Sequence, residues 1–277
     1  MELTAEIERN VRAALAEDVG SGDLTALLTS ADSAASATVV SRGDAVVCGQ
    51  AWFETCYSQL DRRIRVNWHI AEGARAAPGT VICSLTGPSR ALLTAERTAL
   101  NFLQLLSAVA TITRRYVDAV AGTRAAIVDT RKTLPGLRLA QKYAVRTGGG
   151  VNHRIGLYDG ILIKENHIAA AGGVAAALDA ARKIAPPGIW IQIEVETLEQ
   201  LQVALDCGAR MILLDNMDSG TLRAAVGLAA GHAELEASGG ITLENVRAVA
   251  ETGVDRISIG SLTKDVAAAD LSMRFET

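Results

Sequence analysis

The chain lacks the patterns that identify several large protein classes. Its four cysteines, Cys48, Cys56, Cys83 and Cys207, form no CxxC pair, so neither a zinc ribbon nor a thioredoxin-type motif is indicated, and buried free thiols are expected. The sequence has no HExxH motif or closely spaced His and Cys set that would hold a metal tightly. The TGGGVNHRIG segment lacks the GxGxxG spacing of a dinucleotide-binding turn.

Long apolar runs and an excess of basic charge are also missing. The longest uncharged stretch, Thr98 to Thr113, is shorter than the roughly 20 apolar residues that cross a bilayer, so no membrane span is predicted. The acidic N-terminal residues do not resemble a secretory signal, which predicts a cytoplasmic protein. The formal net charge of −4 argues against nucleic acid as a partner, because proteins that bind its backbone are usually basic.

Basic residues are nevertheless concentrated in one segment. Between Arg131 and His167, seven basic residues stand against two acidic ones. A locally cationic segment in an acidic chain is what a concave site for small anions needs, although a solvated helix face would explain the charge as well. The seven are Arg131, Lys132, Arg138, Lys142, Arg146, Arg154 and Lys164.

The N-terminal part of the chain predicts helices beside a small antiparallel sheet. Apolar residues recur at helical spacing from Glu2 to Asp18. Alternating runs at Ala35–Cys48, Arg63–His69 and Thr80–Leu85 predict the strands of the sheet. A long helix is then predicted to begin with Thr94 as its N-cap and to end near Gly122.

The remainder alternates short β-branched runs with Ala-rich helical stretches, which is typical of βα units around a parallel sheet. The ends of the runs are about 20 to 35 residues apart, the length of one unit of a β/α barrel. A barrel is therefore favoured, with fewer than eight strands if no other run contributes. The six runs are Ala126–Asp129, Gly160–Ile163, Ile189–Val195, Met211–Leu214, Leu235–Ala237 and Arg256–Ile259.

Each of these runs carries polar residues or glycines at its C-terminal end. In β/α barrels the active site forms at that end, because the βα loops converge there. One such residue would be an ordinary loop residue, but six sets together favour a shared cavity. They are Thr130-Arg131-Lys132, Lys164, Glu194, Asp215, Ser238-Gly239-Gly240 and Gly260-Ser261.

The charged residues at these ends suit anionic ligands. Like charges at Arg131, Lys132, Arg154 and Lys164 would repel one another unless an anion bound between them. Arginine grips carboxylate or phosphate with a planar fork, whereas lysine supplies a compact charge. His153 beside Arg154 is a candidate donor to a carboxylate or a structural histidine.

The acidic and glycine residues have their own candidate roles. Glu194 and Asp215 could accept hydrogen bonds from ribose hydroxyls, hold Mg²⁺, stabilise positive charge, or form structural salt bridges with Lys132 or Lys164. Ser238-Gly239-Gly240 predicts a tight turn followed by a helix with Thr242 as its N-cap, which would present backbone N–H groups to a phosphate. His167 is expected to support Lys164.

Several long motifs resemble the quinolinate phosphoribosyltransferase family. The resemblance begins with DTRKTLPGLR, QKYAVRTGGGVNHR and ILIKENH. It extends over nearly the whole chain through EDVGSGDLT, LTAERTALNFLQLLS, IEVETLEQL, ILLDNM, EASGGI and IGSLT. The region from Gly49 to Ala77 matches least well, and Lys264 stands where many members of the family have a histidine.

The resemblance implies a fold and a reaction. The fold is an α/β arrangement with an N-terminal α/β sandwich domain, residues 1–108, and an open, incomplete TIM-like β/α barrel of six or seven strands, residues 109–277. A C-terminal tail that packs back on the N-terminal domain is left open. The implied reaction converts quinolinate and 5-phosphoribosyl 1-diphosphate to nicotinate mononucleotide, pyrophosphate and CO2 in de novo NAD biosynthesis, with Mg²⁺ assisting.

The resemblance also implies residue roles and a homodimer with a shared active site, with higher oligomers left open. Arg97 would reach the site from the neighbouring subunit. The quinolinate contacts would be Arg97, Thr130, Arg131, His153, Arg154 and Lys164. The phosphoribosyl contacts would be Lys132, Lys164, Glu194, Asp215, Ser238, Gly239, Gly240, Gly260, Ser261 and Lys264. Lys132, Glu194 and Asp215 would be catalytic, and the two carboxylates would hold Mg²⁺ largely through substrate and water.

Other functions remain open from the sequence. A paralogue associated with molybdenum transport, or a phosphoribosyltransferase for a monocarboxylate such as nicotinate, would share the fold. An aldolase that forms a Schiff base on Lys164 would use the same strand end for different chemistry. A non-enzymatic phosphate-binding protein would bind ligand without releasing pyrophosphate.

Overall fold

The computed structural model describes residues 3–276, so Glu2, the predicted start of the first helix, lies outside the described residues. Within this range the chain divides into two compact units. The first contains residues 3–114, 133–149 and 262–276, and the second contains residues 115–132 and 150–261. The domain boundary between residues 108 and 109 stays a prediction. No helix of residues 3–276 combines the length and hydropathy needed to cross a membrane.

Helices and strands are numbered in chain order. They are α1 (Thr4–Val19), a 3-10 turn (Ala26–Leu28), β1 (Ala34–Ser41), β2 (Ala45–Val46), α2 (Gln50–Leu60), β3 (Arg65–Trp68), β4 (Arg75–Ala76), β5 (Val81–Pro88), α3 (Ser89–Ala119), β6 (Ala126–Val128), α4 (Arg138–Thr147), β7 (Ile161–Ile163), α5 (Glu165–Ala171), α6 (Val174–Ile184), β8 (Ile191–Val195), α7 (Leu198–Asp206), β9 (Met211–Asp215), α8 (Ser219–Ala229), β10 (Glu234–Ser238), α9 (Val246–Ala250), β11 (Arg256–Ser258), α10 (Ser261–Lys264) and β12 (Leu271–Phe275). Each of the six runs predicted for the parallel sheet overlaps one of the strands β6 to β11.

The first unit is built on an antiparallel sheet in the order β12-β1-β5-β3. Along β1 the side chains of Ala37, Val39 and Ser41 are buried at every second position, which is the period of a strand with one face in the core. Strand β12 was not predicted. It pairs with β1, where Met273 lies opposite Val39. Short strands β2 and β4 form a separate ladder.

Helix α2 was also not predicted, and its N-terminal cap explains why. Gly49 has a φ of 107°, and the backbone N–H groups of Gly49 and Gln50 donate to the Glu72 carboxylate at 2.8 and 3.2 Å. Because the cap comes from a residue far along the chain, no local capping motif marks the helix start. Phe53 packs against Trp68 of β3 with ring centroids 5.3 Å apart.

The long helix α3 differs from its prediction at both ends. It begins at Ser89 and ends at Ala119, so Thr94 is an interior residue and not the N-cap. The Thr94 hydroxyl lies 2.9 Å from the Arg90 carbonyl oxygen and 2.9 Å from Asp23 Oδ2. A threonine hydroxyl inside a helix commonly bonds the carbonyl one turn earlier, which gives the same sequence pattern as a cap.

The cysteines agree with the expectation of free thiols. All four are free, with Cys48, Cys56 and Cys83 buried and Cys207 half-buried. Burial raises the pKa of Cys56 to about 12 and that of Cys83 to about 12. These thiols are therefore inert packing residues at neutral pH.

The second unit is built on a parallel sheet in the order β6-β11-β10-β9-β8-β7. Strands β6 and β7 are consecutive in the chain but stand at opposite ends of this order, so the sheet of the described residues is open between them. An isolated parallel bridge joins Val151 to Val128 and adds the loop before β7 to the outer edge of β6. The predicted α/β class with a small antiparallel sheet and an open parallel sheet is confirmed.

Amphipathic helices accompany these strands. Helix α6 buries Val174, Ala177, Leu178 and Ala181 at helical spacing. Helices α7 and α8 begin with side-chain caps, since Thr197 accepts from the backbone N–H of Gln200 and Asp218 accepts from that of Thr221. The starts of α7 and α8 are therefore specified by capping residues next to them in the chain.

The helix after Ser238-Gly239-Gly240 begins later than predicted. Helix α9 starts at Val246 with Asn245 at the N-cap position, so Thr242 is not its N-cap. The backbone N–H of Thr242 donates to Asn245 Oδ1 at 2.8 Å, which makes Thr242 the start of a turn. Any phosphate contact near this strand must rest on the glycine turn itself and not on the helix N-terminus.

Candidate active site

The second unit gathers the strand-end residues at one edge of its sheet. Strands β6 to β11 run parallel, so their carboxyl ends share that edge. Asp215 and Ser238 are partners in the ladder between β9 and β10. The residues at this edge are Thr130, Arg131, Lys132, Lys164, Glu194, Asp215, Ser238, Gly239, Gly240, Gly260 and Ser261.

Lys164 and Glu194 form an ion pair at the ends of the neighbouring strands β7 and β8. Lys164 Nζ lies 3.1 Å from Glu194 Oε2, and the Lys164 side chain is 46% exposed whereas that of Glu194 is 9% exposed. Burial raises the pKa of Glu194, the contact with Lys164 opposes this, and the charge of Asp215 adds to the rise. His167 Nδ1 accepts from the backbone N–H of Lys164 at 3.0 Å, as expected of a supporting histidine.

Lys132 lies over a glycine at the end of β11. A Cβ atom placed on Gly260 would come within 3.0 Å of Lys132 Cδ and 3.7 Å of Thr130 Oγ1. The backbone N–H of Lys132 donates to Thr130 Oγ1 at 3.0 Å, which holds the turn after β6. The missing side chain at Gly260 thus leaves the space that the Lys132 side chain uses.

A second glycine contact lies at the end of β10. Gly239 has a φ of 97°, and a Cβ atom there would lie 2.0 Å from Asn216 Oδ1. Asn216 itself has a φ of 54° and donates from Nδ2 to Asp215 Oδ2 at 2.7 Å. Only glycine at residue 239 allows Asn216 to hold the Asp215 carboxylate in this position.

Asp129 joins two loops that carry candidate anion-binding residues. It is completely buried after β6, where Oδ2 accepts from Asn152 Nδ2 at 2.6 Å and Oδ1 accepts from the His153 backbone N–H at 2.8 Å. The loop with Arg131 and the loop with Arg154 are therefore tied together by one carboxylate. Two charge-assisted hydrogen bonds at a buried site make this a firm junction.

Arg131 and Arg154 are close enough to affect each other. Burial lowers the pKa of Arg154, and the positive charge of Arg131 lowers it further, against a smaller opposite effect of Asp159. Arg154 Nη1 donates to the Gly160 carbonyl oxygen at 3.2 Å. Both side chains are half-buried, and guanidinium groups in such a place are suited to binding a ligand with negative charge.

His153 is placed differently from the other candidates. Its ring is buried, Nδ1 accepts from the backbone N–H of Arg154 at 2.8 Å, and Nε2 lies 2.8 Å from Gln192 Oε1. Both ring nitrogens are thus engaged inside the second unit. A direct contact of His153 with a ligand stays a prediction.

Two predicted site residues belong to the first unit. Arg97 is exposed on α3, and Lys264, at the end of α10, lies 3.3 Å from Asp265 Oδ2 through its Nζ atom. Three basic residues of the cationic segment are also in this unit, on α4: Arg138, Lys142 and Arg146. Lys142 is completely buried, Arg138 is half-buried and Arg146 is exposed, so a solvated helix face accounts for Arg146 but not for Lys142.

Sequence reasoning missed four residues of the second unit that hold the site. They are Asp129, Gln192, Asn216 and Glu236. Gln192 stands two residues before Glu194 and Glu236 two residues before Ser238, so strand alternation places each on the face of a predicted site residue. Polar residues at this spacing inside buried strands are the signal from which Gln192 and Glu236 could have been identified.

The donor set for a metal consists of Glu194 and Asp215. Residues 3–276 contain no group of three or more His, Cys, Asp or Glu side chains that could hold a metal ion by themselves. Magnesium is commonly bound by one or two carboxylates together with phosphate oxygens of a ligand and water. The two carboxylates fit an ion that binds with a pyrophosphate-bearing ligand.

Comparison with known proteins gives consistent matches over nearly the whole length. Residues 23–107 and 109–274 match the families described as Quinolinate phosphoribosyl transferase, N-terminal domain and C-terminal domain. The chain is similar to the probable nicotinate-nucleotide pyrophosphorylase (carboxylating) of Bacillus subtilis strain 168, with 44% identity over 257 residues, 93% of this chain and 89% of the relative. The corresponding protein of Mycobacterium leprae strain TN is 43% identical over 273 residues, 95% of each chain.

A solved structure matches as closely. The nicotinate-nucleotide pyrophosphorylase of Francisella tularensis superposes with a TM-score of 0.95 at 43% sequence identity. The match covers 98% of this chain and 96% of that chain.

Proposed function

The chain belongs to the quinolinate phosphoribosyltransferase family, and from this premise we propose that it is a decarboxylating pentosyltransferase that acts on quinolinate. It transfers the phosphoribosyl group of 5-phosphoribosyl 1-diphosphate to the ring nitrogen of quinolinate. The products are nicotinate mononucleotide, pyrophosphate and CO2, and the reaction serves NAD biosynthesis. The relatives named as nicotinate-nucleotide pyrophosphorylases support this assignment.

The observation that carries the proposal is the pair formed by Arg131 and Arg154. Each guanidinium can bind one carboxylate through two parallel hydrogen bonds, and together they match a dicarboxylate better than a monocarboxylate. The pKa of Arg154 is lowered by burial and by the positive charge of Arg131, so a bound carboxylate would stabilise the charged form of this side chain. Thr130 and Lys164 provide further contacts with quinolinate.

The other strand ends bind the phosphoribosyl group. The backbone of Ser238-Gly239-Gly240 and of Gly260-Ser261 holds the 5-phosphate. Lys132, Glu194 and Asp215 face the ribose and its pyrophosphate. Charge-assisted hydrogen bonds of this kind contribute about 1.5 to 3 kcal/mol each, so several of them orient the sugar firmly.

Catalysis follows from positioning and charge. Pyrophosphate leaves the sugar carbon with the bonding electrons, and Glu194 and Asp215 stabilise the positive charge that develops there. The ring nitrogen then forms the new bond to that carbon and becomes positively charged. The adjacent carboxylate departs as CO2, its electron pair is stabilised by the charged nitrogen, and the ring carbon takes a proton.

Magnesium is proposed as the cofactor because Glu194 and Asp215 fit it. When bound, the ion neutralises charge on the leaving pyrophosphate. Lys132 supplies positive charge from the protein at the same place. Activity is measured with a strong chelator and again after Mg²⁺ is added back. Activity that is the same in both conditions would contradict this cofactor.

The active unit is proposed to be a homodimer, with Arg97 completing the site of the neighbouring subunit. Arg97 is exposed on α3, and Leu24, Leu27 and Leu28 of the same unit are also exposed, at 83%, 62% and 86%. Exposed leucines of this size are typical of surfaces that pair with another chain. A cytoplasmic location stays a prediction.

A pyrophosphate-release assay tests the function directly. Purified protein is given 5-phosphoribosyl 1-diphosphate and Mg²⁺ with quinolinate or nicotinate, and CO2 is measured in parallel. Equal amounts of pyrophosphate and CO2 with quinolinate alone are expected. Turnover of nicotinate but not quinolinate would establish a monocarboxylate enzyme, and ligand binding without pyrophosphate would establish a phosphate-binding protein.

The aldolase alternative uses the same lysine for a covalent bond. Borohydride treatment in the presence of a carbonyl substrate would trap a Schiff base on Lys164 if that chemistry operated. We expect no trapped adduct, because Lys164 Nζ is engaged by the Glu194 carboxylate at 3.1 Å.

A further inference from the structure

A chain of buried polar side chains leads away from Arg154 through the second unit. His153 Nδ1 accepts the backbone N–H of Arg154 at 2.8 Å, so this nitrogen carries no proton. The proton of the neutral ring is therefore on Nε2, which lies 2.8 Å from Gln192 Oε1 and donates to it. The two contacts together specify one tautomer of His153.

Gln192 is oriented in turn by its other contact. Its Nε2 atom donates to Glu236 Oε2 at 3.2 Å, which leaves Oε1 as the acceptor facing His153. The same Glu236 oxygen lies 3.3 Å from Arg256 Nε. Gln192 and Glu236 are each 1% exposed, so the amide has no water to turn toward.

This arrangement is costly unless it serves a purpose. Burial removes an amide and a carboxylate from their hydrogen bonds with water, and the hydrogen bonds inside the protein only replace these. Apolar residues of similar size would therefore give a fold at least as stable. Gln192 and Glu236 lie two residues before Glu194 and Ser238, on the same face of their strands as those proposed site residues. The hydrogen bonds are donated in a single direction, from the backbone N–H of Arg154 through His153 and Gln192 to the Glu236 carboxylate.

We propose that Gln192 is a positioning residue for quinolinate binding: it holds His153 in the Nε2-protonated tautomer, and His153 in turn fixes Arg154 toward a carboxylate of the substrate. This inference rests on the proposed function and assigns His153 an action through Arg154. The Asp129 carboxylate accepts the backbone N–H of the same histidine. The main chain of His153 is therefore held by Asp129, and its ring is held separately by Gln192. Glu236 and Arg256 keep the Gln192 amide from flipping.

The first experiment replaces Gln192 by leucine, which keeps the volume and removes the acceptor. Gln192→Leu is expected to raise the KM for quinolinate roughly three- to tenfold, with kcat and the KM for 5-phosphoribosyl 1-diphosphate nearly unchanged. The matched control is Gln200→Leu, which removes a glutamine acceptor from the Glu196 backbone N–H in the same unit. An unchanged quinolinate KM in Gln192→Leu would overturn the inference.

A double-mutant cycle separates an action through Arg154 from a general structural effect. In an Arg154→Ala background, Gln192→Leu should change quinolinate affinity by less than about twofold, because the residue through which it acts is gone. Full additivity of the two changes would overturn the inference. Wild-type turnover of quinolinate is measured alongside, and its absence would instead refute the proposed function and this inference with it.

Two substitutions of His153 keep the test decisive if Gln192→Leu does not fold. Asparagine can place an acceptor near the Nδ1 position, whereas glutamine reaches the Nε2 position. His153→Asn should retain more quinolinate affinity than His153→Gln, and equal loss in both would contradict an action through the Arg154 backbone. The ¹⁵N resonances of the wild-type ring should show a pyridine-like Nδ1 and a pyrrole-like Nε2, and the reverse pattern would also overturn the inference.

Discussion

The Lys164 ammonium lies 3.1 Å from the Glu194 carboxylate at the carboxyl ends of two neighbouring strands, yet the pKa of Glu194 is raised. Burial outweighs the attraction of the lysine, and Asp215 adds repulsion. The folded chain therefore tolerates an unfavourable negative charge at this residue. A carboxylate kept at such a cost is expected to serve the bound substrate.

Glu194→Gln should reduce turnover by at least about a hundredfold while increasing stability at neutral pH. The pKa of Glu194 is higher in the folded chain than in the unfolded chain. Ionisation of Glu194 therefore destabilises the fold increasingly as the pH rises from the unfolded-state pKa to the folded-state pKa. Glutamine does not ionise, so the stability gain should grow from acid to neutral pH and vanish below the usual glutamate pKa.

Urea unfolding of both proteins between about pH 4 and pH 8 measures this gain. The exposed Glu17→Gln substitution removes a carboxylate far along the chain from this ion pair and serves as the control. A variant less stable than the wild type at every pH would mean that pairing with Lys164 outweighs burial.

Arg131→Lys should raise the KM for quinolinate by at least about tenfold although the charge is retained, since lysine cannot form the planar fork. Steady-state kinetics with each substrate varied in turn gives the result. Arg223→Ala, which changes an exposed arginine on α8, should behave as the wild type. A changed KM for 5-phosphoribosyl 1-diphosphate with no effect on quinolinate would place Arg131 at the other substrate.

Gly239→Ala should weaken binding of 5-phosphoribosyl 1-diphosphate strongly, because the new Cβ would lie 2.0 Å from Asn216 Oδ1 and displace the residue that holds Asp215. Gly172→Ala is the matched control: its φ of 88° is also positive, but no atom lies within 4 Å of its Cβ position. Both should lose roughly 1 to 2 kcal/mol of stability from backbone strain, and only Gly239→Ala should lose substrate affinity. Calorimetric titration and thermal unfolding distinguish the two effects.

Arg97→Ala should abolish activity without unfolding the chain, because this exposed residue is proposed to act in the neighbouring subunit. When the inactive Arg97→Ala and Lys132→Ala proteins are mixed and allowed to exchange subunits, about a quarter of the wild-type activity should return, since half of the dimers are mixed and each has one intact site. Mixed dimers isolated with two affinity tags that show no activity would contradict a shared site.

Much of the fold was predictable because its periodicities are local. Alternation of βα units, the residues at strand ends and the caps at Thr197 and Asp218 are all encoded within a few neighbouring residues. The predictions for Thr94 and Thr242 were wrong because the local pattern at each residue matches that of an N-cap. The Thr94 hydroxyl instead contacts Arg90 and Asp23. The Thr242 backbone N–H donates to Asn245. Helix α2 was missed because Glu72, its cap, is distant in the chain.

The amino-acid sequence by itself determined the α/β class, the family and the chemical types available at the strand ends. Only the tertiary structure decided which groups are held by others. Asn152 and the His153 backbone hold Asp129, Asn216 holds Asp215, and Gln192 holds His153. The physical reason is that a periodic pattern depends on neighbours in the chain, whereas a buried hydrogen bond depends on which distant residues the fold brings within 3 Å or so. The tautomer of a histidine therefore cannot be read from its own segment.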